Sequence, residues 1–273
     1  LHWGLMITVF SLSHAAYLLS LPAIDDPGVG SVGLLLFLVL LTEFSHASTG
    51  LAPGQQYALS ILGEYAPVPE FSIGAQFPLQ IVDEQGLPAA VGYGDTRLQV
   101  RYTPHARKLI HRVLTLGVNA SFPTRTVRST ADPGRTWSVT PNAIFTRTYA
   151  RWYWQVLALS TVETRPAGTA FDVGAAGQVG LRLLGGKLSP GVGLLAETRV
   201  ATWCEPVGGG AQTFCREGRV TEQQRALGTT RPAAIAVLAW NFTNWGSLWV
   251  STQVPFTRWR DNDVGASLGL QAA

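Results

Sequence analysis

The chain of 273 residues is 47% hydrophobic and only 14% charged, against roughly 25% charged in an ordinary soluble domain. Its formal net charge of +3 comes from scattered Lys and Arg, with no dense basic run and interleaved aromatics, which argues against nucleic acid as a partner. Composition changes along the chain: unbroken apolar runs lie before Gly50, and after it apolar and polar residues alternate.

Residues 4–24 (GLMITVFSLSHAAYLLSLPAI) carry no formal charge and as a helix would cross a ~30 Å hydrocarbon core. Asp25-Asp26-Pro27-Gly28 interrupts the run, and residues 29–41 (VGSVGLLLFLVLL) form a second one, short for a helical span but of signal-peptide length. Ser45-His46-Ala47-Ser48 places small residues at the −3 and −1 positions of a cleavage site after Ala47, although no Lys or Arg precedes either run. The expectation is an apolar helical leader over residues 1–50, transmembrane or signal-like, that does not pair with the first barrel strand near Tyr57.

From about residue 55 to 273 the dominant pattern has period two, the signature of strands. Phe71, Ile73, Ala75, Phe77, Leu79 and Ile81 alternate with Ser72, Gly74, Gln76, Pro78 and Gln80. Leu98, Val100 and Tyr102 alternate with Arg97, Gln99 and Arg101. Phe171, Val173, Ala175, Val179, Leu181 and Leu183 oppose Asp172, Gln178 and Arg182. Eleven such segments follow one another, at 56–67, 70–82, 96–103, 109–122, 136–147, 152–164, 170–184, 190–203, 231–242, 246–257 and 263–271. A soluble sandwich would also alternate, but small and charged residues on one face of strands about ten residues long suit a polar lumen with an apolar wall facing lipid. Trp137, Trp152, Tyr153, Trp154, Trp203, Trp240, Trp245 and Trp259 fall near strand ends, where an interfacial girdle would put them. The predicted fold is all-β: an antiparallel transmembrane barrel of about 11–12 strands in the outer membrane of a Gram-negative bacterium.

Two stretches carry family resemblances. Gly94-Asp95-Thr96-Arg97-Leu98-Gln99-Val100-Arg101-Tyr102, Gly117-Val118-Asn119-Ala120-Ser121-Phe122-Pro123-Thr124 and Trp137-Ser138-Val139-Thr140-Pro141 resemble strands of bacterial outer-membrane barrels of the phenol-degradation transporter type. That resemblance implies a channel for small, apolar aromatic solutes, inserted by the outer-membrane assembly machinery. The family's closing aromatic is replaced here by Ala273. In the leader, Trp3-Gly4-Leu5-Met6, Leu12-Ser13-His14-Ala15 and Leu34-Leu35-Leu36-Phe37-Leu38-Val39 resemble transmembrane segments of phosphatidate cytidylyltransferases. Glu43-Phe44-Ser45-His46 departs from that pattern and the catalytic signature is missing. The alternative function is therefore a fragment of such an enzyme, fused to or misread ahead of a structural barrel.

Short connections follow the odd-numbered segments (Pro67-Val68-Pro69, Pro104-His105, Tyr149-Ala150-Arg151, Gly185-Gly186, Asn244-Trp245-Gly246) and longer ones the even. Short turns face the periplasm and bacterial barrels have an even number of strands, so a strand ahead of Gln55 is missing from the count. With the Leu start, this favours a disrupted gene or a misassigned start; the other reading is a miscount, with two weak strands hidden in 202–230.

No phosphate loop, HExxH or CxxC motif occurs, so neither an enzyme nor a cofactor or metal is expected. The functional candidates are inward-facing polar residues: Glu64, Arg97, Gln99, Arg101, Asp172, Gln178, Arg182, Glu197 and Arg199. They either line a path for a small solute or pair with one another and fill the lumen. Cys204 and Cys215, in a polar Gly-rich stretch, are expected to close a disulfide in a surface loop. Membrane lipid is the remaining expected partner.

Overall fold

The computed structural model describes residues 35–47, 54–68, 70–84, 87–104, 112–127, 137–165, 168–204, 228, 230–242, 246–256 and 264–272. Where Val, Ile, Leu, Thr and aromatics alternate with polar or small residues, the chain runs as strands: β1 (Leu35–Ala47), β2 (Gly54–Val68), β3 (Phe71–Glu84), β4 (Ala90–Tyr93), β5 (Thr96–Tyr102), β6 (Arg112–Phe122), β7 (Trp137–Thr148), β8 (Trp152–Arg165), β9 (Gly168–Leu181), β10 (Leu188–Cys204), β11 (Thr230–Asn241), β12 (Gly246–Pro255) and β13 (Val264–Ala272). Each pairs antiparallel with its neighbours, and β1 joins β13 on one side and β2 on the other, so the sheet closes on itself.

The β4 and β5 segments fill one place in the wall. β3 pairs with β4 through Leu79↔Tyr93 and with β5 through Gln76↔Arg97, so three steps along β3 face four along the other chain. The extra residue is Asp95, a bulge that bends the strand. Among the described residues thirteen segments thus make twelve strands, the even number that closed bacterial barrels use.

Closure corrects the reading of the leader. Residues 35–41 are not helical: Leu35–Ala47 is a strand whose register runs from Leu35↔Ala66 to Ala47↔Gly54 on β2 and from Leu38↔Ala272 to His46↔Val264 on β13. Backbone N–H and C=O groups at an open edge in hydrocarbon cost several kcal/mol each, and that cost outweighs the lack of alternation in LLFLVLL. The strand missing from the parity argument lies inside the supposed leader, and the barrel begins at residue 35 rather than 55. Cleavage after Ala47 would remove this strand, so that site does not fit the fold. Residues 4–24 lie outside the described residues, as does most of 202–230.

The turns at the end where β2 meets β3, β7 meets β8, and β9 meets β10 are short. The last of these contains a 3-10 turn at Leu184–Gly186, with Leu184, Gly185 and Gly186 all at positive φ. The start of β1 and the finish of β13 lie at this same end. Alternation sets the two faces of the wall. On β3, Phe77 is 58% exposed while Gln76 is 1% exposed. Leu59, Ile61, Ile73, Leu98, Val100, Leu116, Val156, Val179, Val192 and Leu194 likewise point outward and are exposed. An apolar exterior of this extent is a surface for lipid.

Aromatics mark both rims. Trp137 packs edge-on against Phe122 at 5.2 Å on the long-loop side; Tyr149 stacks on Trp152 at 4.0 Å, and Trp240 lies 6.0 Å from Phe242, on the short-turn side. Tyr153 departs from the girdle expectation: it points inward and is 2% exposed. Trp245 and Trp259 lie outside the described residues, and the side chain of Trp203 does too.

Candidate functional site in the barrel interior

The residues that alternate with the lipid-facing set point into the barrel, where they form two charged clusters and an apolar wall. Near the short-turn end, Glu64 on β2 accepts hydrogen bonds from Ser72 Oγ on β3 (2.5 Å), Gln99 Nε2 on β5 (3.3 Å) and Arg101 Nη1 (3.3 Å), while Arg101 Nη2 donates to Gln99 Oε1 at 3.0 Å. All four groups are buried. Near the long-loop end, Arg199 on β10 grips Asp172 on β9 with two bonds, Nε to Oδ1 at 2.8 Å and Nη2 to Oδ2 at 2.9 Å. Arg231 Nη2 on β11 stands 4.0 Å from Asp172 Oδ1. A bidentate guanidinium–carboxylate pair is among the stronger polar contacts a protein makes.

The other residues singled out from sequence also lie on the inward face. Gln178 Nε2 donates to Gln155 Oε1 across β8 and β9 at 3.0 Å. Arg182 Nη1 donates to the Tyr149 carbonyl at 3.3 Å, at the short-turn rim. Arg97 sits opposite Gln76, and Glu197 opposite Arg231, in the ladder. The structure therefore brings Glu64, Gln99 and Arg101 together, and separately Asp172 and Arg199; it does not gather all nine into one site. Cys204 ends β10, but its side chain and all of Cys215 lie outside the described residues, and with them the disulfide.

Sequence reading missed the apolar part of the interior. Ile144, Leu157, Leu159, Leu195, Ala233, Ile235, Val237 and Ala239 are buried on the inner faces of β7, β8, β10 and β11. Ala176 on β9 packs against both of their clusters. Trp249 on β12 is 1% exposed. The polar residues two positions away, Ser247 and Ser251, could have identified it as inward, because one face of a strand has period two. The rest of the inner wall is mostly polar: Ser60, Glu64, Ser72, Gln76, Gln80, Gln99, Arg101, Thr115 and Ser121 are buried on β2 to β6, beside Ala58, Leu62, Ala66 and Val82, and Ser138, Thr140, Thr161 and Ser189 are buried on β7, β8 and β10. Glu163 and Arg231 are further charged residues on the inward face that the sequence reading left out.

A third polar cluster sits on the bulge. Asp95 accepts from the backbone N of Arg125 (3.1 Å) and from Arg125 Nη2 (2.8 Å), while Thr124 Oγ1 accepts from Thr96 N (2.7 Å) and donates to the Gly94 carbonyl (3.3 Å). The chain after β6 is thereby tied to β4, and Thr126 N donates to the Tyr93 carbonyl at 2.9 Å. A Cβ at Gly94 would stand 2.6 Å from the Gln80 carboxamide and would push that side chain aside. The Gly94-Asp95 and Pro123-Thr124 stretches that carry the transporter resemblance are thus the two halves of one latch. Replacing Asp95 by Ala should lower unfolding free energy by about 2 kcal/mol, since the hydrogen bonds that a charged group accepts from Arg125 are lost. Urea unfolding in detergent, followed by tryptophan fluorescence, reads this; an unchanged midpoint would remove the latch from the stability account.

No protein-family model matches the chain, and no curated protein matches it. Among solved structures it is similar to the COG4313 outer membrane channel from Pseudomonas putida F1, with a TM-score of 0.64 at 13% identity over 90% of this chain and 98% of that one. It is also similar to the NanC porin (TM-score 0.49, 8% identity, 88% and 98% covered) and to the KdgM porin in complex with disordered oligogalacturonate (0.48, 8%, 87% and 98%). With its closed ring of strands, lipid-facing exterior and aromatic rims, the chain is an outer-membrane β-barrel of the Gram-negative type.

Proposed function

We propose that the protein is an outer-membrane channel for small solutes that combine an apolar body with a polar or charged end. The observation that carries this is an apolar patch on the otherwise mostly polar inner wall, formed by Ile144, Leu157, Leu159, Leu195, Ile235 and Val237 on β7, β8, β10 and β11. A path for sugars would need polar groups all round, whereas an amphipathic solute can lay its apolar side on Leu157, Leu195, Ile235 and Val237 and its polar end on Gln76, Gln80 or Gln99. The Glu64–Arg101 and Asp172–Arg199 pairs stand at successive levels along such a path and set its charge without a large net potential. Likeness to an outer-membrane channel supports the same reading, and insertion by the outer-membrane assembly machinery belongs to it. The cytidylyltransferase alternative loses its footing where residues 35–47 form a barrel strand.

The test is uptake into liposomes loaded with the purified barrel. An aromatic carboxylate should enter faster than a sugar of similar size. Replacing Ile235 and Val237 by Thr, which keeps the volume nearly constant, should reduce that preference while leaving ion conductance in place. Deep burial of inner-wall groups such as Thr140 favours a second reading, a purely structural barrel. In that case neither solute enters above the rate of empty liposomes.

A further inference from the structure

We propose that the outward face of β6–β8 at the short-turn rim binds the phosphate headgroup of an anionic phospholipid of the inner leaflet. Arg112 opens β6 and Arg147 lies near the finish of β7, directly opposite it in the ladder. Arg112 shares the outward face of β6 with the exposed Leu114 and Leu116, and Arg147 shares the outward face of β7 with Val139 and Phe145. Like charges directly opposite one another destabilise a sheet, and an anion held between them removes that repulsion.

The surroundings are those of a lipid headgroup site. The Arg147 guanidinium lies 4.9 Å above the Tyr149 ring, which stacks on Trp152 with an interplanar angle of 9°. Such a platform belongs at headgroup level. Among the described residues neither arginine has a carboxylate partner; Glu64 points inward, and Glu70 lies in the β2–β3 turn, beyond β5. Three of the five turns at this end repeat the bias in sequence; the β2–β3 turn carries Glu70 and the β11–β12 turn no charge. Residues 103–112 (TPHARKLIHR), 145–154 (FTRTYARWYW) and 181–190 (LRLLGGKLSP) contain cations and no Asp or Glu, whereas the long-loop end carries both signs, as in Asp83, Glu84, Asp95, Arg125, Glu163 and Arg165. Short turns face the periplasm, so the cationic excess meets the phospholipid leaflet.

The experiment is native mass spectrometry of the full chain released from micelles that contain equal amounts of phosphatidylglycerol and phosphatidylethanolamine with the same acyl chains, with lipid A as a third component. Phosphatidylglycerol should be retained about fivefold or more over phosphatidylethanolamine, the scale of one basic residue at an anionic surface. The R112Q/R147Q variant should bring that ratio close to one and R112K/R147K should keep most of it, with heat-modifiable gel mobility reporting the fold of each. Equal retention of the two phospholipids by the unmodified chain overturns the proposal. So does a preference for lipid A, or a phosphatidylglycerol preference that survives in R112Q/R147Q. Should R112Q/R147Q not fold, the ratio for the unmodified chain decides.

Discussion

Removal of residues 35–47 is expected to abolish the compact, detergent-resistant form of the barrel. β1 bridges β13 and β2 along nearly its whole length, from Leu38↔Ala272 to His46↔Val264 and from Leu35↔Ala66 to Ala47↔Gly54. Without it two strand edges face hydrocarbon, each unsatisfied backbone group costing several kcal/mol. That sum exceeds the roughly 5–15 kcal/mol by which a whole domain is stable. A milder form is Leu40→Pro, which places a ring where Leu40 pairs with both Ile61 and Leu270 and removes a ladder donor in a strand flanked on both sides. Heat-modifiable gel mobility reads both changes. A deletion variant that still migrates as a compact species without boiling would mean that β2 and β13 can close on each other, and that β1 is dispensable.

How much of this could be read from sequence depended on whether a strand keeps different chemistry on its two faces. β9 does: Val173 and Val179 are exposed while Asp172 and Gln178 are buried, so alternation alone placed it and aimed Asp172 inward. β1 does not. In LLFLVLLTEF apolar residues occupy both parities, and a short apolar run cannot be told from a helix by periodicity. The apolar inner wall shows why alternation is not obligatory in this barrel, since Leu157 and Leu159 face inward on β8 while Val156 faces out. Loop parity, which depends on connection lengths rather than side chains, pointed to the missing strand correctly and failed only in looking for it outside the apolar run.

The candidate site was legible to the same extent. Parity gave the inward direction of Glu64, Arg101, Asp172 and Arg199, but not their partners. Glu64 meets Arg101 because β2 and β5 both flank β3, through Glu64↔Gly74 and Gly74↔Gln99. The middle position is a glycine, and a Cβ there would stand 2.5 Å from the Gln99 side-chain nitrogen. A small residue on the strand between is what lets two longer side chains reach across it. That requirement is visible only once the register is known.

The second large effect is expected at the pair near the long-loop end. Replacing Asp172 by Leu leaves Arg199, itself 3% exposed, as a buried cation without the carboxylate it grips at 2.8 and 2.9 Å. Breaking a buried pair by removing one partner costs about 3–5 kcal/mol, whereas replacing both partners by apolar residues of similar volume is often neutral. D172L should therefore lower the unfolding free energy by roughly that amount, and D172L/R199L should recover most of the loss. Arg231, 4.0 Å from the same carboxylate oxygen, keeps the recovery incomplete, because its guanidinium loses a neighbour in both variants. Urea unfolding in lipid bilayers, combined as a double-mutant cycle, isolates the pair. Equal destabilisation by D172L and by the double variant would show that the pair contributes no coupling, and that the inner wall at this level is wet enough to solvate either charge alone. Single-channel recordings on the same three proteins then join stability to transport. If the pair sets the charge of the path, D172L, with its extra positive charge, should move selectivity toward anions, and D172L/R199L should return it toward that of the unmodified chain.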